Sequence, residues 1–148
     1  MVRHKPPPLP REVPTTPQRS RIMSAIKSKG NISTEMRLIK IMRVHGISGW
    51  RRNQALLGHP DFVFPSCHVA IFVDGCFWHG CPKCYKEPRQ NSLFWREKIR
   101  RNIARDNRNS RQLRKLGWSV IRIREHSLIK EESVANRIIR AVLLDRCP

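Results

Sequence analysis

The chain has 148 residues, 39% of them hydrophobic, which is enough for one domain with a real core and too short for two comfortable ones. Thirty Lys and Arg against eleven Asp and Glu leave a net charge of +19; this points to a polyanionic partner, nucleic acid first, and no run approaches the roughly 18 apolar residues of a spanning helix, so the chain reads as soluble. Nothing resembling a secretory signal opens the sequence, so a reducing compartment is expected, where clustered cysteines bind metal more often than they pair.

Residues 1–16, MVRHKPPPLPREVPTT, carry five prolines and almost no apolar periodicity, which predicts a flexible basic arm preceding a single domain over 17–148. Thr16 and Pro17 form a helix start, Ile22, Met23 and Ile26 give one apolar side, and Gly30 ends the helix. A second helix is expected from Ser33 or Thr34, with Leu38, Ile41 and Met42 at helical spacing and Gly46 as its stop. In that helix Glu35 is most simply a residue complementing the helix dipole.

The runs GWRRNQALLGHP, DFVF and VAIFVDG then read as three short β-segments divided by turn residues, the last two forming a hairpin. Val69 to Val73 is apolar throughout, as expected of a strand covered on both faces. A long helix is predicted over 92–116, with Trp95, Ile99 and Ile103 four apart and arginine on its other faces; WSVIRIR reads as a strand, and a last helix runs from Glu132 to Leu144. Helix, three strands, helix, strand, helix argues for a mixed α/β sandwich in which the strand after the long helix rejoins the sheet.

Cys76, Cys81 and Cys84 lie within nine residues, and Cys-Pro-Lys-Cys has the two-residue spacing that lets two sulfurs reach one tetrahedral ion. Zinc needs a fourth ligand, and His126, just beyond the strand 118–124, competes with His79 for the place. Cys67 and Cys147 fall outside the spacing and are expected to be buried or incidental thiols. Asp61 opens one strand of the hairpin and Asp74 ends the other. If register brings them together, their oxygens and a backbone carbonyl suit Mg²⁺; taken singly, an aspartate at a strand end also serves as a turn former. His79, unless it binds zinc, stands where a general base for water could be.

Taken together, the segments TPQRSRIMSAIKSKG, GHPDFVF, VAIFVDGCFWHGCPKC, FWREKIRRNIARD and LRKLGWSVIRIREH resemble, in order and spacing, the very short patch repair (Vsr) mismatch endonucleases of bacteria, over about residues 17–145. The resemblance implies a restriction-endonuclease-like α/β fold, a structural Zn²⁺, and Mg²⁺-dependent nicking of double-stranded DNA 5′ to the mispaired T of T·G mismatches left by 5-methylcytosine deamination. It places Asp61 and the Val73 carbonyl at Mg²⁺, His79 at the water-activating position, and Glu35 as the supporting acid. Cys76, Cys81, Cys84 and His126 fall on the zinc positions, and Met23, Phe77, Trp78 and Trp95 where the family pushes side chains between bases. Some members have His where this chain has Asp74, so Asp74 is read as a metal ligand or a proton acceptor. The expected protein is a monomer of the bacterial cytoplasm, held to the nucleoid by DNA. The competing expectation is a zinc-stabilised DNA-binding module without catalysis, in line with the charge and with the lack of a complete Asp, Glu-x-Lys nuclease signature after Asp61.

Overall fold

A computed structural model describes residues 17–18 and 32–144. The expected arm over 1–16, Met23 and the rest of the first expected helix beyond Pro17 and Gln18, and Cys147 lie outside the described residues.

The described chain enters through a single π-helical turn, Ile32–Met36, that runs into helix α1, Arg37–Val44. Leu38, Ile41 and Met42 recur at three- and four-residue spacing, and each is 0% exposed, so one stripe of α1 is wholly committed to the core. Gly46 ends it at φ 67°, a left-handed backbone that lets Ile47 N–H reach back to Met42 O (2.8 Å). The first turn is wider than the α-turn expected there, and it turns Thr34 and Glu35 inward, where both are buried. Glu35, still in the first turn, is therefore buried as well as placed to complement the helix dipole.

Strand β1, Phe62–Phe64, and strand β2, Val69–Asp74, form the expected hairpin, joined by a 3-10 turn over Pro65–Cys67 and by His68 at φ 52°. They run antiparallel with Phe62 opposite Ile71 and Phe64 opposite Val69. The strand expected before them shrinks to one bridge, Arg51 to Val63; positive φ at Asn53, Gly58 and His59, followed by Pro60, prevents an extended run. Cys67 is buried and is disulfide-bonded rather than a free thiol.

After β2 the chain passes through a loop into helix α2, Ser92–Lys115, and returns as strand β3, Ser119–Arg124, parallel to β2. The sheet order is β1-β2-β3, so β2 is central, and all six of its residues are buried. Helix α3, Glu131–Leu144, closes the described chain.

Alternation along the strands sorts the two covering layers. Val69, Ile71 and Val73 of β2, with Ile121 and Ile123 of β3, join Leu38 and Met42 of α1 and Val134, Ala135 and Ile138 of α3 in the main core. Ala70 and Phe72 point the other way, onto Leu113 of α2. Burying one such Leu or Ile side chain contributes about 1.5–3 kcal/mol. The outcome is a mixed α/β sandwich of three layers. Asp74 continues the row of Ala70 and Phe72, so the α2 side of the sheet is apolar at one end and acidic at the other.

Candidate active site and metal centre

At that acidic end lies a cleft of about 440 Å³ lined by Asp61, Val73, Asp74, His79, Asp106 and Arg122, among others. The antiparallel register brings Asp61 to the end of β2: Asp61 N–H donates to Ile71 O (2.9 Å), and Val73 N–H donates to Asp61 Oδ2 (2.7 Å). The Asp61 side chain thus accepts a backbone N–H from the end of β2. The convergence of Asp61 and Asp74 that the sequence left conditional is thus realised.

His79 reaches the same cleft from the loop after β2. Gly80, at φ 58°, makes this possible: a Cβ there would meet Ile99 Cγ2 at 2.6 Å and Ile103 Cδ1 at 2.8 Å, so only glycine lets the loop lie this close to α2. His79 Nδ1 lies 2.6 Å from Asp106 Oδ2 and 3.6 Å from Asp74 Oδ1. Burial pushes the Asp106 carboxyl up, but its hydrogen bond to His79 and the charges of His79, Arg122 and Arg105 outweigh this and leave it below its ordinary value. An ionised carboxylate can only accept, so Nδ1 carries the proton, and in the neutral ring Nε2 is left as the acceptor.

Arg122 crosses the floor of the cleft. It donates through Nη1 to Asp74 Oδ1 (2.8 Å) and through Nε to Ser110 Oγ (3.0 Å), and its guanidinium lies 4.2 Å from the centre of the Phe72 ring. The cation offsets the two acids beside His79 and ties β2, β3 and α2 together where they meet.

Glu35 is 4% exposed and accepts a hydrogen bond from Arg52 Nη2. Burial, opposed by the Val73 N–H and reinforced by Glu35 and Asp74, pushes the Asp61 carboxyl up to about 7. Asp61, with the acids Glu35 and Asp74 near enough to raise its carboxyl and with Val73 beside it in the cleft, gives an oxygen-rich donor set of the kind a hard divalent cation takes. The residues therefore fit Mg²⁺.

The zinc-type cluster is set by the parallel register. Asp74 pairs with Arg124, so the loop leaving β2 runs beside the residues leaving β3. Glu125 Oε2 accepts from Cys76 N–H (3.2 Å), and His126 Nδ1 stands 3.4, 3.4 and 3.5 Å from the sulfurs of Cys76, Cys81 and Cys84. A tetrahedral ion with Zn–S near 2.3 Å and Zn–N near 2.0–2.1 Å has S···N edges of roughly 3.5 Å. All four donor atoms lie within 4.8 Å of one another. This group can hold a metal such as zinc, and His126 rather than His79 is its fourth member. Burial, with neighbouring thiols, pushes the Cys76 thiol up to about 11 against the His126 N–H. At Cys81 burial is outweighed by the N–H groups of Lys83 and Cys84 and by the adjacent thiols, and its value falls.

Phe77, Trp78 and Trp95 are neither core nor isolated. Their ring centres lie 5.3–5.8 Å apart in edge contacts, all three are half-buried, and Lys98 Nζ sits 5.4 Å from the Trp78 centroid and 5.3 Å from that of Trp95. They form one aromatic platform between the metal group and the start of α2.

Sequence reasoning missed Asp106, Arg122 and Arg52. A signal existed for Asp106: it stands seven residues after Ile99 and seven before Leu113, both buried, so it is an acid in an inward-facing stripe. No comparable signal marks Arg122, whose placement depends on strand register.

Comparisons with known proteins place the chain in a family. The family described as DNA mismatch endonuclease Vsr matches residues 11–86. The DNA mismatch endonuclease Vsr of Escherichia coli (strain K12) is 35% identical over 123 residues, 82% of this chain and 78% of that protein. The type II nicking enzyme V.NmeDIP of Neisseria meningitidis serogroup C is 35% identical over 134 residues, 89% of this chain and 90% of its own length. The type II nicking enzyme V.NaeI of Lentzea aerocolonigenes is 42% identical over 76 residues, which span 51% of this chain and 46% of that relative. The chain belongs to the Vsr DNA mismatch endonuclease family.

Proposed function

We propose that this protein nicks double-stranded DNA 5′ to the mispaired T of T·G mismatches produced by 5-methylcytosine deamination, and so initiates very short patch repair. The observation that carries this reading is the His79–Asp106 pair opening onto the cleft that also holds Asp61. Asp106 fixes the imidazole tautomer, leaving Nε2 to take a proton from water as it attacks the phosphorus. Asp61, supported by Glu35, and the Val73 carbonyl would hold Mg²⁺. When bound, Mg²⁺ supplies Lewis-acid stabilisation of the charge gathering on the phosphate oxygens. Asp74 stands beside His79 as a second acid compensated by Arg122, and acts as a proton acceptor or within the Mg²⁺ site.

Cys76, Cys81, Cys84 and His126 would hold the structural Zn²⁺, anchoring both ends of the loop that carries His79. The platform of Phe77, Trp78 and Trp95, with Met23, would wedge between bases beside the mismatch, where weak pairing lowers the cost of unstacking. The fold is read as restriction-endonuclease-like, residues 17–148 as one endonuclease domain behind a basic arm, and the protein as a monomer acting on nucleoid DNA in the bacterial cytoplasm. No helix among the described residues is long and apolar enough to cross a membrane. A DNA-binding module without catalysis would have no use for a histidine oriented by a buried acid over an acidic cleft. The test is strand nicking of a T·G duplex against its T·A counterpart, with Mg²⁺ and with EDTA; a protein that binds both and cuts neither is the non-catalytic module.

A further inference from the structure

Helix α2 carries basic residues around most of its exposed surface, but one row is ordered. Lys98, Arg101, Arg105, Arg108, Gln112 and Lys115 are spaced by three and four residues alternately, so they stand one above another on a single helical face. That row contains no acid. Its position is fixed by its neighbours: Lys98 lies over the Trp78 and Trp95 rings, and Arg105, with Asp106 and Asn109 beside it, lines the cleft. The row therefore starts at the aromatic platform, passes the lip of the cleft and continues to the C-terminal end of α2, over roughly 25 Å. A second set, Arg100, Arg111 and Arg114, faces away from the cleft on the opposite flank of the exposed ridge.

We propose that the row Lys98, Arg101, Arg105, Arg108 and Lys115 is a rail for the DNA phosphate backbone, holding the flank of the duplex that runs from the aromatic platform past the nicked bond. The inference rests on the endonuclease reading and adds to it the face of α2 that meets the substrate. Its partner is a row of phosphates, because the rail supplies cationic side chains at near-regular intervals along one helix face, the arrangement that follows a nucleic-acid backbone. Arg101 and Arg105 already touch Glu97 (2.9 Å) and Asp106 (3.5 Å).

The test compares two triple variants of the full chain that remove the same charge: Arg101→Gln/Arg108→Gln/Lys115→Gln on the rail and Arg100→Gln/Arg111→Gln/Arg114→Gln on the far flank. Each set takes one arginine from the Glu97 ion pairs. A fluorescein-labelled duplex bearing one T·G pair is titrated in EDTA at salt from about 50 to 200 mM. Since each phosphate contact contributes roughly 0.9 to the slope of log Kd against log salt, the rail variant should lose about 2 to 3 from that slope and bind at least tenfold more weakly. The far-flank variant should lose less than about 1. Equal losses in both sets, or none in the rail set, overturn the rail. The single variants Arg108→Gln and Lys115→Gln, each expected to lower the slope by about 0.9, decide the matter should the triple variant fold poorly. The rail loss should be the same on a T·A duplex, because phosphate contacts carry no base identity. A wild-type protein with no T·G preference would therefore count against the mismatch reading while leaving the rail comparison intact.

Discussion

His79 and Asp106 lie 27 residues apart in the chain and 2.6 Å apart in space, joined by a loop that touches α2 through Gly80 and by a helix that turns one acid inward. The acid holds the imidazole in one tautomer rather than binding substrate. Asp106→Asn keeps the shape and reverses the hydrogen-bond demand, since an amide can offer Nδ1 a donor where an acceptor is required. The expected result is a fall of about 10²- to 10⁴-fold in the single-turnover nicking rate, with the Kd for T·G duplex in EDTA within about twofold of wild type. A rate unchanged in Asp106→Asn would remove the orienting role.

The sulfur–nitrogen spacing around His126 predicts one zinc per chain. Cys81→Ser, at a position that is 0% exposed, should release the metal and lower the thermal midpoint, because a structural ion contributes folding free energy directly. Atomic absorption on purified protein gives the count; wild-type protein free of zinc would refute this part of the account.

Asp61 provides a prediction in pH. Its carboxyl stands at about 7 in the fold against 3.8 as the ordinary value, so the folded state holds the proton more tightly than the unfolded one. The associated stability is fully present below about pH 3.8 and is lost as pH rises through 7. In EDTA, Asp61→Asn should therefore be more stable than wild type at pH 8, by on the order of 1–3 kcal/mol, and show little advantage at pH 4. Added Mg²⁺ should raise the wild-type midpoint at pH 8 and leave that of Asp61→Asn unchanged. Thermal melts at the two pH values with and without Mg²⁺ check both statements, and a wild-type midpoint indifferent to pH and Mg²⁺ would contradict them.

The half-buried state of Trp78 separates wedging from packing. Trp78→Ala should keep its zinc and nearly all of its thermal midpoint, yet lose preference for T·G over T·A, since stacking on a base is worth roughly 1–3 kcal/mol. Competition binding with the two duplexes measures this. If the variant unfolds at ordinary temperature, or retains full preference, Trp78 is a packing residue.

Where a feature repeats locally, the sequence already shows it. Leu38, Ile41 and Met42 announce α1, the continuous apolar run Val69 to Val73 announces a strand covered on both faces, and Cys-Pro-Lys-Cys announces a metal-type cluster. What it does not show depends on register between distant segments. Whether Asp61 meets Asp74 is decided by the pairing of Phe62 with Ile71. His126 joins Cys76, Cys81 and Cys84 because β3 lies parallel to β2 with Arg124 beside Asp74. The strand expected near Arg51 survives as one bridge because Gly58, His59 and Pro60 bend the chain away. Arg122 reads as one more arginine in a basic protein until Phe72 is placed opposite it.

The proposed mechanism has Asp61 and His79 act on one phosphodiester bond selected by a T·G pair. Its most direct test is single-turnover nicking of a T·G duplex in Mg²⁺ by wild type, Asp61→Ala and His79→Ala, with the T·A duplex beside it. Wild type should cut one strand, 5′ to the mispaired T, and leave T·A intact. Both variants should bind the T·G duplex nearly as well as wild type and cut at least 10²-fold more slowly, as expected when groups acting on the reacting phosphate are removed. An Asp61→Ala protein that nicks at the wild-type rate would contradict the account.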